Sequence, residues 1–124
     1  MAENDELTSK IIGAAIEVHK KLGPGLLEKT YQECLCIELE DRGINYKREV
    51  YLPIRYNNRE IKDAYRIDII IENRVIVELK SVEKIDNVHK AQLLTYLKLT
   101  DKKIGLLINF NTNLLKNGIV RMIL

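Results

Sequence analysis

Three charged side chains interrupt a stretch of β-branched residues, RIDIIIENRVIVELK, at residues 66–80. Asp68 interrupts the first apolar run, and Glu78 and Lys80 end the second. Buried strands in a chain of this size rarely carry unpaired charge. The three residues are therefore expected either to be solvated or to be gathered around a common ligand.

The turn between the two runs decides whether the acids meet, because opposed residues of a hairpin share a face. With a two-residue loop, Asp68 would face Val77, and Glu78 would point to the other side. With the three-residue loop Glu72-Asn73-Arg74, Asp68 faces Glu78, and Asn73 tolerates the left-handed conformation that such loops need. We prefer the longer loop because it sorts the side chains better. One face is then apolar (Ile67, Ile69, Ile71, Val75, Val77 and Leu79), and the other carries Asp68, Ile70, Ile76, Glu78 and Lys80.

Opposed carboxylates in this register would lie about 4.5–5.5 Å apart at Cβ. Like charges so placed repel, and a hard divalent cation bound through oxygen ligands would neutralise them, Mg²⁺ being the common choice. Lys80, on the same face as Glu78, would hold a water or an anionic oxygen beside the metal. These groups are the ones needed to hydrolyse a phosphodiester. The alternative is a structural salt bridge at a strand end, in which one lysine would pair only one of two acids.

Apolar residues recur at helical spacing in two segments that precede the strands. The first covers about residues 4–23, with Asn4 or Asp5 as its cap and Gly23 with Pro24 as its end. The second runs from about residue 26 to residue 42. Apolar faces are predicted at Leu7, Ile11, Ala14, Ala15, Val18 and Leu22 in the first helix, and at Leu27, Tyr31, Cys34, Leu35 and Leu39 in the second.

Alternating and β-branched segments predict a sheet. Pro53 marks an edge or a bulge in the first of its strands. A helix over about residues 86–99, capped by Asp86 or Asn87, makes a crossover from the third strand to a parallel fourth. The order α-α-β-β-β-α-β-β predicts an α/β fold with a mixed central sheet and helices on both faces. The predicted strands are NYKREVYLPIRYNN, REIKDAYRIDIIIE, RVIVELK, KIGLLINF and GIVRMIL.

Length and composition favour a single globular domain over residues 1–124. Of the 124 residues, 46% are hydrophobic and 31% charged, as in ordinary globular proteins. No apolar run approaches the ~20 residues of a membrane helix, and the acidic first residues do not predict a secretory signal. Cys34 and Cys36 lie two apart in a predicted helix, so they point to different faces and cannot easily bridge each other, and they lack the spaced partners of a zinc site. A reducing, cytoplasmic setting is therefore expected. The net charge of +2 does not by itself indicate nucleic acid.

Asp68, nine residues and then ELK resembles the D…(D/E)xK signature of the PD-(D/E)XK nuclease superfamily. The upstream GLLEKTY, with Gly25, Glu28 and Tyr31, resembles the motif of the GxxExxY protein family, a compact branch of that superfamily. HKAQLLTYLKLT resembles its third block, and the resemblance spans nearly the whole chain. Ile67 replaces the proline of the PD pair. The resemblance implies a restriction-endonuclease-like αβββαβ core with an extra N-terminal helix, dependence on Mg²⁺ (Mn²⁺ substituting), and hydrolysis of nucleic acid.

The same resemblance assigns roles to individual residues. The catalytic residues would be Asp68, Glu78, Lys80 and Gln92, and the metal ligands Asp68, Glu78 and Glu28. Supporting or substrate-contacting roles fall to Tyr31, His89 and Tyr96. Apart from the resemblance, Lys84 and Lys90 flank the loop beside the site and are expected to contact phosphates. The alternatives are a solvated helix carboxylate for Glu28, a core position for Tyr31, and a capping or surface amide for Gln92.

Nucleic acid, DNA rather than RNA, is the expected partner, and no membrane contact is expected. A chain of this length has no separate recognition domain, so specificity would come from a homodimer or a protein partner. The alternative function is a non-catalytic module that keeps the nuclease fold and binds nucleic acid or protein. The joint presence of Asp68, Glu78 and Lys80 favours catalysis, because a pure binding module does not need so costly a cluster.

Overall fold

The computed structural model describes residues 2–124, with side chains described from residue 6 onward. It contains three α-helices and five strands in the predicted order. α1 begins at Ala2, so Asn4 and Asp5, predicted as its caps, lie inside the helix, and their side chains fall outside the described residues. The elements are α1 (Ala2–Leu22), α2 (Glu28–Asp41), β1 (Tyr46–Tyr56), β2 (Arg59–Ile71), β3 (Val75–Lys80), α3 (Asn87–Thr100), β4 (Ile104–Asn109), a 3₁₀ turn (Leu115–Gly118) and β5 (Ile119–Ile123).

The five strands form one sheet in the order β1-β2-β3-β4-β5. Only β3 and β4 run parallel, and α3 is the crossover that joins them. Core residues of α1 and α2 pack on one face of the sheet, and those of α3 pack on the other. The predicted α/β class, with an αβββαβ core and an additional N-terminal helix, is therefore confirmed. Among the described residues, no helix has both the length and the apolarity that crossing a membrane requires.

The apolar face predicted for α1 is buried, except that Leu22 is only half-buried. The face predicted for α2 needs one correction, since Leu27 is 78% exposed. α2 begins only at Glu28, so Leu27 belongs to the preceding turn and not to the helix face. Cys36 is buried beside Leu35 in its place, whereas Cys34 is half-buried.

The apolar sorting of β2 breaks at Asp68. Ile69 packs with α1 and α2, as predicted, but Ile67 packs with Ile70 in the cluster around α3. The prediction that Ile67 shares the face of Ile69 is therefore wrong. The reason is local, because the β1–β2 ladder skips Asp68 and the β2–β3 ladder ends at Ile69, so the strand departs from its regular pleat there.

β1 and β2 continue well beyond the rest of the sheet. β2 pairs with β3 only at residues 69–71, whereas its pairing with β1 runs from Ile71 back to Arg59. The β1–β2 register shifts between Leu52 and Ile54. Pro53 lies at that point and has no N–H to donate to a ladder. The predicted irregularity at Pro53 is confirmed, and β1 is an edge strand.

Candidate active site between the second and third strands

The turn between β2 and β3 has three residues. Ile71 pairs with Val75 and Ile69 pairs with Val77, which leaves residues 72–74 in the loop. Asn73 takes a φ of 55°, the left-handed conformation that such loops need. The preferred register is therefore confirmed, and its continuation places Asp68 opposite Glu78.

At Asp68 and Glu78, hydrogen bonds from main chain to side chain replace the main-chain hydrogen bonds between β2 and β3. The Asp68 main-chain N–H donates to Oε2 of Glu78 at 2.7 Å. The Leu79 main-chain N–H donates to Oδ2 of Asp68 at 2.9 Å. Each carboxylate thus reaches across to the other strand and is fixed by a main-chain donor. The main-chain pairing of β2 with β3 ends at Ile69 and Val77, and these two side-chain bonds make the next contacts between the strands.

Burial makes this pair of acids expensive to ionise. Asp68 is 7% exposed and Glu78 is 3% exposed. Burial, with the Asp68 charge as a second cause, raises the pKa of Glu78 to about 8. Burial also raises the pKa of Asp68, although the Leu79 N–H opposes this. Without a cation, Glu78 therefore retains its proton at neutral pH, and a bound cation would favour the doubly ionised pair.

Lys80 lies close enough to lower the pKa of both acids, but it is not their direct partner. No ion pair within 4.0 Å among the described residues includes Lys80. Nη2 of Arg66 lies 3.5 Å from Oδ1 of Asp68 and is the nearest cation to that carboxylate. A simple Lys80 salt bridge therefore does not account for the pair of acids, and the Lys80 ammonium stays available for another anion.

Glu28 is the first residue of α2, and its side chain contacts the loop that follows β3. Its Oε2 accepts a hydrogen bond from the Ser81 main-chain N–H at 3.2 Å. Its negative charge raises the pKa of Asp68, and both residues line one small cleft of about 40 Å³. α2 therefore points its first residue toward the pair of acids, although the Glu28 side chain is exposed.

The sequence model of the PD-(D/E)XK nuclease superfamily matches residues 5–122. The chain belongs to this superfamily. Among curated proteins and among solved structures, no significant match is found. Asp68 and the Glu-Leu-Lys of residues 78–80 are the residues of this chain whose types and order resemble the superfamily signature.

Tyr31 of this PD-(D/E)XK chain holds the turn between α1 and α2. Its hydroxyl donates to the Gly23 carbonyl and accepts the Leu26 main-chain N–H. Its ring stacks on Phe110 with 4.2 Å between centroids, and the residue is fully buried. Tyr31 therefore supports the position of Glu28 from the core.

The residues predicted on α3 occupy different environments. His89 forms a capping box with Asp86, in which its Nδ1 accepts the Asp86 main-chain N–H at 3.0 Å. Tyr96 is buried, and burial together with the charges of Glu78 and Asp68 raises its pKa to about 12. Its hydroxyl therefore lies near the pair of acids. Gln92 and Lys84 are exposed and Lys90 is half-buried, and their substrate contacts stay predictions.

Two further residues line the cleft, Glu49 and Gln32, and sequence reasoning missed both. In the β1–β2 register Glu49 falls opposite Asp68, where the ladder skips a pair, and it has a φ of 52°. It accepts a hydrogen bond from Nε2 of buried Gln32 at 3.1 Å. Its Oε1 also lies 3.9 Å from Nη1 of Arg66. The sequence signal that could have found Glu49 is its acidic type in β1, the predicted strand before that of Asp68.

Asn109 is another missed residue, and it anchors the loop that follows Lys80. It is 3% exposed and pairs with Lys80 across the parallel β3–β4 ladder. Its Oδ1 accepts the main-chain N–H groups of Val82 at 3.1 Å and Asn111 at 3.2 Å. Its Nδ2 donates to the Val82 carbonyl at 2.9 Å. One side chain thus fixes Val82, in the loop directly after Lys80, to the end of β4.

Asn109→Ala is expected to lower the free energy of unfolding by about 2 kcal/mol, because the main-chain N–H groups of Val82 and Asn111 lose the oxygen that accepts them. Urea denaturation followed by circular dichroism measures the change. Asn111→Ala is the matched control, since it removes one exposed bond of 3.3 Å to the same carbonyl, and it should cost less than about 1 kcal/mol. Equal losses in the two variants would contradict the anchoring role.

The donor set of the PD-(D/E)XK site suits Mg²⁺ with two protein ligands. Within the described residues, no group of three or more His, Cys, Asp or Glu side chains is arranged to hold a metal. Mg²⁺ is usually held by one or two carboxylates and several waters. Asp68 and Glu78 each keep a second oxygen that makes no bond to the main chain. Glu28 as a third ligand stays a prediction.

Proposed function

We propose that this protein is a Mg²⁺-dependent nuclease that hydrolyses phosphodiester bonds of nucleic acid, DNA rather than RNA. The supporting observation is the buried pair Asp68 and Glu78, fixed by reciprocal bonds to the main chain. Two acids with raised pKa values in one buried place weaken a fold unless a ligand uses them. Mn²⁺ would substitute for Mg²⁺ at the same oxygen atoms, and a homodimer or a protein partner would supply specificity.

We also propose that the chain belongs to the GxxExxY branch, because the three motif residues all lie at or contact the turn before α2. Gly25 takes a φ of 94°, which favours glycine in the turn before α2. Tyr31 binds both sides of that turn. Glu28 extends from the same turn to the loop after β3. The motif therefore sets the position of an acid next to Asp68.

The proposed roles divide between holding the cation and positioning the substrate. Asp68 and Glu78 would hold Mg²⁺, which when bound lowers the pKa of a water and stabilises negative charge on phosphate. Lys80 would orient that water and contact a phosphate oxygen. Glu28 would accept hydrogen bonds from the water shell. Gln92 would orient Lys80 or a phosphate from α3.

The alternative is a non-catalytic module that retains the nuclease fold and binds nucleic acid or protein. One observation favours it, namely that a main-chain N–H already binds each of the two carboxylates, as it would in a pair that only stabilises the fold. In that case the pair of acids would serve the fold alone.

Calorimetric titration with Mg²⁺ and Mn²⁺, beside a cleavage assay on DNA and RNA, separates the two functions. The nuclease is expected to bind either cation with millimolar or tighter affinity and to cleave only when the cation is present. Chelation with EDTA should stop cleavage. A protein that binds nucleic acid but takes up neither cation would support the non-catalytic module.

Lys80→Ala is expected to spare cation binding but to reduce cleavage by about 10²-fold or more, since its proposed contacts are to water and phosphate. Calorimetry measures the first property and single-turnover cleavage the second. Lys98→Ala is the matched control, because Lys98 is exposed in the last turn of α3, at the other end of the sheet. A Lys80→Ala protein that cleaves as fast as the control would remove Lys80 from the catalytic set.

A further inference from the structure

A two-stranded ribbon, residues 51–66 of β1 and β2, extends past the pair of acids. β2 contacts β3 only through Ile69–Ile71, so residues 59–66 have β1 as their one strand partner. At about 3.3 Å per residue, these eight residues reach about 25 Å beyond the sheet. Asp68 lies where the ribbon leaves the sheet, so the ribbon and the candidate site share one end of the molecule.

The ribbon carries the formal net charge of the whole chain. It contains four basic residues and two acidic ones, which gives the same +2 as the full sequence. The remaining residues therefore sum to zero. None of the ion pairs within 4.0 Å among the described residues involves three of the ribbon cations, Arg55, Arg59 and Lys62. All three side chains are exposed. Arg55 donates one hydrogen bond to the Asn58 carbonyl at 3.1 Å, and its charge, like those of Arg59 and Lys62, is open to an anionic partner.

Exposed aromatic rings lie opposite two of the four ribbon cations. Tyr51 lies directly opposite Arg66, and Tyr56 lies directly opposite Arg59. Tyr51 is 52% exposed and Tyr56 is 67% exposed. Aromatic rings beside cations bind unpaired bases and their phosphates together, whereas bases inside a duplex are already stacked. The Tyr51–Arg66 pair also leads into the site, because Arg66 reaches Asp68.

We propose that the ribbon binds single-stranded nucleic acid and directs the strand toward Asp68 and Glu78. The direction toward a cleavage site rests on the proposed nuclease function, but the binding does not. The cations Arg55, Arg59 and Lys62 neutralise phosphates, and Tyr51 and Tyr56 stack on bases. The substrate class is thus a single strand or an unpaired segment of DNA or RNA.

Binding is measured with the full chain in EDTA, so that cleavage does not interfere. The probe is a fluorescein-labelled oligodeoxythymidine of about sixteen nucleotides, compared with its duplex over a range of KCl concentrations by fluorescence anisotropy. The double variant Arg59→Gln with Lys62→Gln removes two ribbon cations. Lys98→Gln with Lys103→Gln is the matched control, because both lysines are exposed and lie at the opposite end of the sheet.

The ribbon variant is expected to weaken single-strand binding about tenfold and to lower the slope of log K against log salt by about 1.4, at about 0.7 per phosphate contact. The control variant should change neither quantity. Tyr56→Ala should weaken binding about fivefold or more with the slope unchanged, and Tyr56→Phe should bind like the wild type, because the ring carries the stacking.

Four results would overturn the proposal. They are equal losses in the ribbon and control variants, no loss in the ribbon variant, duplex binding as tight as single-strand binding, and no binding by the wild type. If the ribbon variants altered only self-association in analytical ultracentrifugation, the ribbon would be a protein interface. Cation titration tests the nuclease function separately. Its failure would remove the direction toward a cleavage site but not the strand binding, and failure of the strand binding would leave the nuclease function standing.

Discussion

Asp68→Asn and Glu78→Gln are each expected to abolish cleavage and to weaken Mg²⁺ binding, while the cation-free protein stays folded. Each substitution keeps an oxygen that can accept the main-chain N–H now bound to Asp68 or Glu78. Each removes one negative charge and one strong ligand. Each variant also removes a buried acid whose ionisation burial opposes, so the cation-free protein should be as stable as the wild type or more so.

Thermal unfolding with and without Mg²⁺ measures the stability and the cation binding of each protein, and a cleavage assay measures its activity. At ten times its dissociation constant, a cation that binds only the folded state stabilises it by about 1.4 kcal/mol, which corresponds to a Tm increase of about 5 °C. The wild type should show this shift and the two variants should not. Asp63→Asn is the matched control, since it removes an exposed acid of the ribbon. The opposite result would be an Asp68→Asn protein that unfolds more easily than the wild type, together with no Mg²⁺-dependent Tm shift in the wild type. It would indicate that Asp68 and Glu78 stabilise the fold and bind no cation.

The register of the central hairpin could be predicted because the length of one loop decides which residues of β2 and β3 lie opposite each other. A three-residue loop placed the apolar residues of β3 on suitable faces, and the alternative loop did not. The same reasoning failed for Ile67, because it assumed a regular pleat through Asp68. The pleat is lost there because carboxylates, not main-chain groups, join the two strands. Alternation of residue types does not carry that information.

The residues that sequence reasoning missed depend on contacts between distant segments. Asn109 acts on Val82, and this follows only from the parallel pairing of β3 with β4. Glu49 faces Asp68 only once the β1–β2 register is known, and its left-handed φ is a local departure from a strand. His89 is different, because its capping box with Asp86 is a local pattern. Its contact with substrate, which the resemblance of this helix to the superfamily's third block implies, stays a prediction.

Stability of the cation-free protein is expected to fall as pH rises between about 4.5 and about 8. Glu78 has a folded-state pKa of about 8 against an ordinary value of 4.5. The folded state therefore retains a proton that the unfolded chain has already lost. This contribution is complete below the unfolded pKa and is lost as pH rises through the folded one. The raised pKa of Asp68 acts in the same direction. The loss attributable to Glu78 is on the order of a few kcal/mol.

Urea denaturation at about pH 5 and about pH 9, compared between wild type and Glu78→Gln, isolates this contribution. Glu78→Gln should remove most of the decline, whereas Glu83→Gln, an exposed acid in the next loop, should keep it. Mg²⁺ should oppose the decline, because ligand carboxylates must lose their protons to bind it. Its stabilising effect should therefore be larger at about pH 9 than at about pH 6. A wild type and a Glu78→Gln variant with the same pH profile would show that Glu78 ionises at its ordinary pKa, and the buried pair would then need no cation to neutralise it.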